Sequence, residues 1–176
     1  MKEIFKLSLT LALICAVAGA ALAATHGVTS VLIAERQEIE LKSALSELLP
    51  EANTYQMTQV ERLKYYKGYE NGMFVGAVMV AAANGYGGAI NLLVVVDTEG
   101  KVRKVRVTGH SETAGIGNKI EKLSFLNQFI GKSVKDQVIV GKDINAVSGA
   151  TISSKAVAAG VRQALQNHLV YVTDNK

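Results

Sequence analysis

The chain has 176 residues and a formal net charge of +4, a length that suits one domain with an appended segment. Its basic residues are interspersed with acidic ones and form no cluster, which argues against a nucleic-acid-binding protein. Cys15 is the single cysteine of the sequence. It excludes a disulfide and a cysteine-ligated metal or iron–sulfur centre in the rest of the chain, and no histidine spacing indicates a metal site.

The N-terminal stretch carries no charge between Lys6 and Glu35. It is long enough to cross a bilayer as a helix, which takes about 20 apolar residues. Lys2 and Lys6 lie at its start and acidic residues follow it, so the positive-inside rule predicts a cytoplasmic N-terminus and a domain on the outer side. We predict a single-pass transmembrane anchor over residues 1–34. The alternative is a signal peptide cleaved after Ala23, although its apolar part would be unusually long.

Residues 35–61 are predicted to be a juxtamembrane helix and linker. Leu41, Leu45 and Leu48 recur at helical spacing, and Pro50 ends the run. The helix is expected to continue without a break from the anchor. Residues 51–61 are predicted to be a linker or a short helix.

Residues 62–176 are predicted to form the folded domain, which begins with strands. The Asn71-Gly72 pair predicts a hairpin between strands at residues 63–69 and 73–83. The almost continuous apolar run at residues 90–96 predicts a buried strand, and residues 102–107 predict its neighbour.

The second half of this domain shows helical periodicity. We predict a helix over residues 120–130, a short strand at residues 138–140, and a last helix over residues 153–169 with His168 near its surface-exposed end. Strands followed by helices indicate an α+β fold. The predicted architecture is therefore a mostly antiparallel sheet with packed helices, preceded by one N-terminal transmembrane helix.

The stretch Ser148-Gly149-Ala150-Thr151 leads directly into the last predicted helix. Its small residues leave the backbone open to close approach, and Thr151 places a hydroxyl just before the helix. A helix N-terminus has free N–H groups and the positive end of the helix dipole, so it favours a phosphate. The residue types alone favour a simpler interpretation, in which Ser148, Thr151 or Ser153 caps the helix.

Residues 148–154 resemble the flavinylation motif of the FMN-binding domain family. That family includes the RnfG protein of the Rnf complex and its counterpart in the sodium-pumping NADH:quinone reductase. The resemblance implies that Thr151 is joined to FMN through a phosphoester, formed by a separate flavin transferase that uses FAD as donor. Ser148, Gly149 and Ala150 would contact the cofactor. Asn145 stands where the family usually has Asp.

Two further stretches resemble the same family and follow in its order. One is Gly85-Tyr86-Gly87-Gly88, and the other is the loop over residues 110–117, in which Ala114 stands where the family usually has Pro. The resemblance implies that Tyr86 and Gly87 lie beside the flavin ring and that Glu112 and Thr113 offer polar contacts to it. From the residues alone, the first stretch would be interpreted as a glycine-rich turn, and Glu112 and Thr113 as solvated loop residues.

The resemblance implies a membrane-anchored electron-transfer subunit of an ion-translocating ferredoxin:NAD oxidoreductase (Rnf) complex, with covalent FMN and no catalytic residue or metal of its own. The implied location is the inner membrane, with the domain on the periplasmic or extracellular side. The expected partners are the other membrane subunits, the flavin transferase during maturation and the lipid bilayer. Two alternatives stay open: the equivalent subunit of a sodium-pumping NADH:quinone reductase, and a cofactor-free exported scaffold or binding module in which Thr151 is only a cap.

Overall fold

A computed structural model describes residues 2–60, 63–115 and 117–169 of the chain. Three parts of the sequence predictions lie outside the described residues: residues 61–62 of the predicted linker and domain, Ile116 of the loop over residues 110–117, and residues 170–176 at the end of the predicted domain. The chain divides into two compact units, Met1–Ala44 and Leu45–Lys176. The predicted boundaries at residues 34 and 61 stay predictions.

Helix α1 (Lys2–Leu48) makes up the described part of the first unit and ends in the second. It is uninterrupted, as predicted, and it stops just before Pro50 because proline cannot continue a helix. Its segment Ile4–Ala23 has 20 residues with a mean hydropathy of 2.0, and none of it is buried. By length and composition, this segment can cross a membrane.

The second unit is built on a five-stranded antiparallel sheet in which the strands follow each other in chain order. The strands are β1 (Thr54–Val60), β2 (Leu63–Glu70), β3 (Met73–Asn84), β4 (Ala89–Val96) and β5 (Val102–His110). Asn71 and Gly72 both have positive φ, 50° and 84°, at the predicted hairpin between β2 and β3, as a tight primed turn requires.

One face of the sheet is covered by helix α3 (Thr151–His168). Ile90, Leu92 and Val94 alternate along β4 and are fully buried in one cluster with the apolar residues of this helix. Gly160 of α3 allows close contact, since a Cβ there would lie 2.6 Å from Leu92 Cδ1. The α+β fold predicted from the sequence is confirmed.

The opposite face packs against the end of α1. Leu45, Leu48 and Leu49 are buried and stand apart from the cluster beneath α3. Leu49 lies directly over Gly68, where any side chain would collide with it. An ion pair between Arg103 and Glu51 (2.7 Å) lies on the same part of the fold, but exposed pairs contribute little. The apolar burial, at roughly 2 kcal/mol per leucine, is the dominant interaction.

Two local predictions are wrong. Within the predicted linker or short helix of residues 51–61, residues 54–60 instead form a strand that pairs along its whole length with β2. A strand at the sheet edge needs no continuous apolar pattern, so this signal is weak in sequence. Residues 138–140 form no strand beyond a single bridge from Val140 to Ile144. Instead, Asp143 accepts the N–H groups of Val138 and Ile139 at 3.0 and 2.7 Å and holds them in a turn.

The predicted helix over residues 120–130 is broken into three short pieces. They are a 3₁₀ turn (Gly117–Glu121), helix α2 (Leu123–Leu126) and a second 3₁₀ turn (Asn127–Phe129). The apolar spacing is used, since Ile120, Phe125 and Phe129 are buried in the core under α3. Periodicity therefore located the buried side chains but not the helix breaks.

The expectation that His168 lies on the surface is also wrong. Its side chain is 1% exposed, and its Nε2 has no hydrogen-bond partner within the described part of the chain. Burial lowers the pKa of His168 to about 4, an effect that Asp97 opposes and Lys67 reinforces. The imidazole is therefore neutral near pH 7.

This burial predicts pH-dependent stability. An unfolded histidine titrates near 6.5, so between about pH 6.5 and 4 the unfolded chain takes up a proton that the folded chain does not. The free energy of unfolding should therefore fall as the pH drops through this window, by on the order of 3 kcal/mol in total. Thermal unfolding of the full chain in detergent, followed by circular dichroism from about pH 7 to 4.5, measures this.

The control is His168→Met, which removes the ionisable ring and should make this dependence shallower, above all between about pH 6.5 and 5. Asp143 does not confuse the result. Hydrogen bonds from Ile139 and Val138 lower its pKa to about 2, so its contribution is lost only below about pH 4. An equally steep dependence in the variant would show that His168 is not its source.

Candidate cofactor-binding site

A tight turn leads into α3. The Ala150 N–H donates to the Val147 carbonyl at 2.9 Å, and Gly149 has a φ of 80°. A turn with positive φ at its third residue favours glycine there, as in type II turns. Ser148 and Gly149 are exposed at the turn, and Ala150 is buried. The small residues of the predicted motif are thus explained by the turn itself.

Ser154 fastens this turn to the helix. Its buried Oγ accepts the Val147 N–H at 3.0 Å and donates to the Ala150 carbonyl at 2.8 Å. A buried hydroxyl must be paired to avoid a desolvation cost of roughly 1–3 kcal/mol, and here both of its functions are satisfied. The geometry of the turn is therefore fixed immediately before Thr151.

Thr151 is the first residue of α3, and Ala150 occupies the cap position. From the sequence, Thr151 was expected to lie just before the helix rather than at its first position. No side chain caps α3 within the described part of the chain, so Ser148, Thr151 and Ser153 are not caps. The Thr151 side chain is exposed, and its hydroxyl makes no hydrogen bond within that part.

The first turn of α3 also presents free backbone donors. The first intrahelical bond runs from the Ser154 N–H to the Ala150 carbonyl at 2.8 Å. The N–H groups of Thr151, Ile152 and Ser153 precede it and have no intrahelical acceptor. Together with the helix dipole, they favour an anionic group beside the Thr151 hydroxyl.

Glu112 joins three distant segments of the chain. Its side chain is 8% exposed. One carboxylate oxygen accepts the Gly87 N–H at 3.0 Å, and the other accepts the Ser153 hydroxyl at 2.6 Å. The glycine-rich loop after β3, the loop after β5 and the first turn of α3 therefore meet at one carboxylate. We call this arrangement the Glu112 clamp.

The glycines around the Glu112 clamp make room for it. A Cβ on Gly85 would collide with the Glu112 carboxylate, and a Cβ on Gly87 would collide with the Ser111 carbonyl. A Cβ on Gly117 would lie 2.6 Å from Glu112 Cβ. From the family resemblance, we expected the glycines of the Gly85–Gly88 loop to allow close approach of a flavin ring. In the structure, the spaces beside these three glycines are filled by the loop after β5.

The Glu112 carboxylate is ionised. Burial raises its pKa, but hydrogen bonds from Ser153 and from the N–H groups of Gly87 and Tyr86 outweigh that effect, with a smaller contribution from His110, so the net shift is downward. The Nδ1 of His110 accepts the Glu112 N–H at 3.1 Å, while its Nε2 lies 3.1 Å from Glu121. This hydrogen-bond pattern corresponds to the neutral tautomer with its proton on Nε2.

These segments enclose a cavity of about 380 Å³, within the range of roughly 300–1,000 Å³ typical of small-molecule sites. It brings together six of the eight residues predicted from the sequence: Tyr86, Glu112, Thr113, Gly149, Ala150 and Thr151. Gly87 is exposed and absent from the lining, and its N–H is committed to Glu112. Ser148 lies on the exposed turn and is absent from the lining.

The residues of this cavity fit an FMN. The start of α3 offers donors and a positive dipole end for a phosphate. Tyr86 and Ile152, which are 73% and 54% exposed, supply apolar surface at the same cavity, as a flat aromatic ring requires. Thr113 adds a polar side chain.

Three residues of this region were not singled out as site residues by the sequence. Ile152 and Gly117 line the cavity, and Ser153 lines it while donating to Glu112. Ile152 and Ser153 directly follow Thr151 in the sequence, so adjacency could have indicated them. The pairing of Ser153 with a residue 41 positions away has no local signal.

The loop before the turn is held by Gln128. Its side-chain amide accepts the Asn145 N–H at 2.8 Å and donates to the Asn145 carbonyl at 3.3 Å. The Asn145 side chain itself is exposed. Asp143, two positions earlier, is committed to the 138–139 turn and to Lys132 at 3.2 Å. It is therefore not free to replace the acidic side chain that Asn145 lacks.

Two family models match the chain. The model described as the FMN-binding domain matches residues 85–166, and the one described as the RnfG N-terminal region matches residues 1–48. The first includes every residue that lines the cavity. The second covers the described residues of α1.

Curated relatives match nearly the whole chain. The chain is 33% identical to the RnfG protein of the proton-translocating ferredoxin:NAD(+) oxidoreductase complex of Clostridium ljungdahlii, over 93% of this chain and 91% of that protein. It is 35% identical to the RnfG protein of the ion-translocating oxidoreductase complex of Escherichia coli, over 93% of this chain and 90% of that protein.

Among solved structures, the chain is similar to the NqrC protein of the Na(+)-translocating NADH-quinone reductase of Parabacteroides distasonis, with a TM-score of 0.52 and 21% identity. That match covers 63% of each chain, which is less than two thirds of that protein's length. NqrC of Shewanella oneidensis gives a TM-score of 0.51 at 20% identity, over 69% of this chain and 73% of that one. These two likenesses support the fold. With the near full-length similarity to curated relatives, the chain belongs to the RnfG family of ion-translocating oxidoreductase (Rnf) complex subunits.

Proposed function

We propose that this chain is an electron-transfer subunit of an ion-translocating ferredoxin:NAD(+) oxidoreductase complex, anchored in a membrane by α1 and carrying FMN covalently on Thr151. The observation that carries the proposal is the Thr151 hydroxyl. It is exposed, it has no hydrogen-bond partner within the described residues, and it lies in the cavity beside the free N–H groups of α3. The relatives named above are subunits of complexes of this kind.

Attachment requires a phosphoryl transfer to this hydroxyl. Thr151 Oγ1 attacks the phosphorus on the riboflavin side of the FAD pyrophosphate, and the bond to the adenylate oxygen breaks. AMP leaves, the hydroxyl proton is released, and FMN stays joined through a phosphoester, without any change of oxidation state. The separate flavin transferase supplies the catalytic groups. This chain supplies the Thr151 hydroxyl. Within the described residues that hydroxyl makes no hydrogen bond that would have to break before it attacks.

When bound, FMN supplies the redox chemistry, and the protein supplies position and electrostatics. The first turn of α3 holds the phosphate end. Tyr86 and Ile152 offer apolar surface for the ring system, and the Glu112 clamp fixes the loops that carry the cavity wall. A covalent tether on Thr151 prevents loss of the cofactor and keeps its local concentration high.

The anchor gives the subunit its location. The segment Ile4–Ala23 would cross the inner membrane once, with Lys2 and Lys6 on the cytoplasmic side and the domain on the periplasmic or extracellular side. The domain's partners would be the other membrane subunits of the complex, the lipid bilayer, and the flavin transferase during maturation. FMN that dissociated on this outer side could not be replaced from the cytoplasm, which favours a covalent bond.

Replacing the Thr151 hydroxyl should abolish covalent flavin. Thr151→Val keeps the shape of the side chain and removes the attacking oxygen. In cells that also produce the flavin transferase, we expect complete loss of flavin fluorescence from the band in a denaturing gel. Mass spectrometry of the wild-type peptide should show an increment of one FMN less one water.

The matched control is Thr98→Val, which removes a threonine hydroxyl from an exposed turn outside this cavity and should keep the fluorescent band. A band of full intensity in Thr151→Val would place the attachment elsewhere. A colourless, unmodified wild-type chain from its native membrane would instead support a cofactor-free exported module.

The proposed topology is tested in spheroplasts. Protease added from outside should cleave the chain in its second unit and leave a membrane-protected N-terminal fragment, because the domain would lie outside the membrane. A cytoplasmic protein serves as the control for intact membranes. Protection of the whole second unit, with digestion only after lysis, would reverse the orientation.

A further inference from the structure

The cavity wall carries one fixed negative charge. Among the described residues that line the cavity, the ones with a titratable side chain are Tyr86 and Glu112, and no lysine or arginine is among them. The lowered pKa of Glu112 keeps it ionised near neutral pH. A molecule bound in this cavity therefore lies beside the Glu112 carboxylate, and no lysine or arginine in the described lining offsets its negative charge.

The carboxylate cannot turn away from the cavity without losing its hydrogen bonds. Gly87 holds one oxygen at 3.0 Å and Ser153 holds the other at 2.6 Å. His110, an ionisable neighbour on its own loop, has its Nδ1 occupied by the Glu112 N–H and its Nε2 beside Glu121. Both ring nitrogens of His110 are therefore engaged, and neither bonds to a carboxylate oxygen of Glu112.

Charge in a partly buried wall acts strongly on its neighbours. The Glu112 side chain is 8% exposed, so solvent screens its field much less than the field of a surface carboxylate. Reduction of a flavin adds negative charge to its ring system, and charge near the ring is one of the means by which a protein tunes its electronics.

We infer that Glu112 lowers the reduction potential of the flavin held in this cavity, acting as a positioning and electrostatic residue rather than as a catalytic one. The inference depends on the proposed function, since it requires FMN on Thr151. It assigns two roles to one carboxylate: it holds three loops together, and it makes the cofactor a stronger electron donor once reduced.

The test separates charge from geometry. Glu112→Gln keeps an acceptor for the Gly87 N–H and a polar partner for Ser153, but removes the charge. The flavinylated full chain is purified in detergent, and its midpoint potential is measured at about pH 8 by anaerobic titration followed by flavin absorbance. We expect a more positive midpoint potential than that of the wild type, with a similar melting temperature.

Glu121→Gln is the matched control. It removes the same charge from a side chain that is 51% exposed and does not line the cavity, so its midpoint potential should equal that of the wild type. If the potential of Glu112→Gln is unchanged, or if Glu121→Gln shifts it equally, the assignment to Glu112 is wrong.

If Glu112→Gln does not fold or takes up no flavin, the effect of the Glu112 charge is tested with Ser153→Ala, which removes a hydrogen-bond donor to that carboxylate. Loss of the compensating hydroxyl should make the midpoint potential more negative, and no shift there would overturn the inference. The content of covalent FMN is measured first in the wild type. Its absence overturns the proposed function and this inference together, whereas a flavinylated chain with an unmoved potential overturns the inference alone.

Discussion

The site depends on one buried carboxylate. A charged side chain with little solvent exposure is tolerated only when its oxygens are hydrogen-bonded, because desolvating an ion costs on the order of several kcal/mol. Glu112 meets that condition by taking donors from Gly87 and Ser153, which come from two other parts of the chain. Because all three must be in place at once, the cavity forms only when the sheet and α3 are both folded.

Features with local signals were predictable. Asn71-Gly72 specifies its hairpin because both residues tolerate the positive φ that they adopt. The uncharged N-terminal run and Pro50 specify α1 and its end. Residues 148–151 specify a turn into a helix, since Gly149 favours the positive φ that it adopts. The α+β architecture follows from these elements and their order.

Features that depend on distant partners were not predictable. The edge strand β1 exists because β2 supplies its hydrogen bonds, and its own residues carry only a weak strand pattern. His168 is buried because the helix end packs onto the domain, whereas its position in the sequence suggested a surface residue. Glu112 lines the cavity, as the prediction of a cofactor contact requires, but its structural role could not be predicted. Its pairing with Ser153 spans 41 positions, and no spacing rule within one sequence connects them.

The packing around Glu112 also constrains the order in which substitutions can accumulate. A Cβ added to Gly117 would lie 2.6 Å from the Cβ of Glu112, so replacing Glu112 with a shorter residue that still has a Cβ does not remove the need for glycine at 117. A Cβ added to Gly85 would collide with the Glu112 carboxylate and would lie 2.6 Å from Ile90 Cδ1, so a side chain there would require changes at both of these residues. These positions are therefore epistatic, because the substitutions tolerated at one of them depend on the residues present at the others.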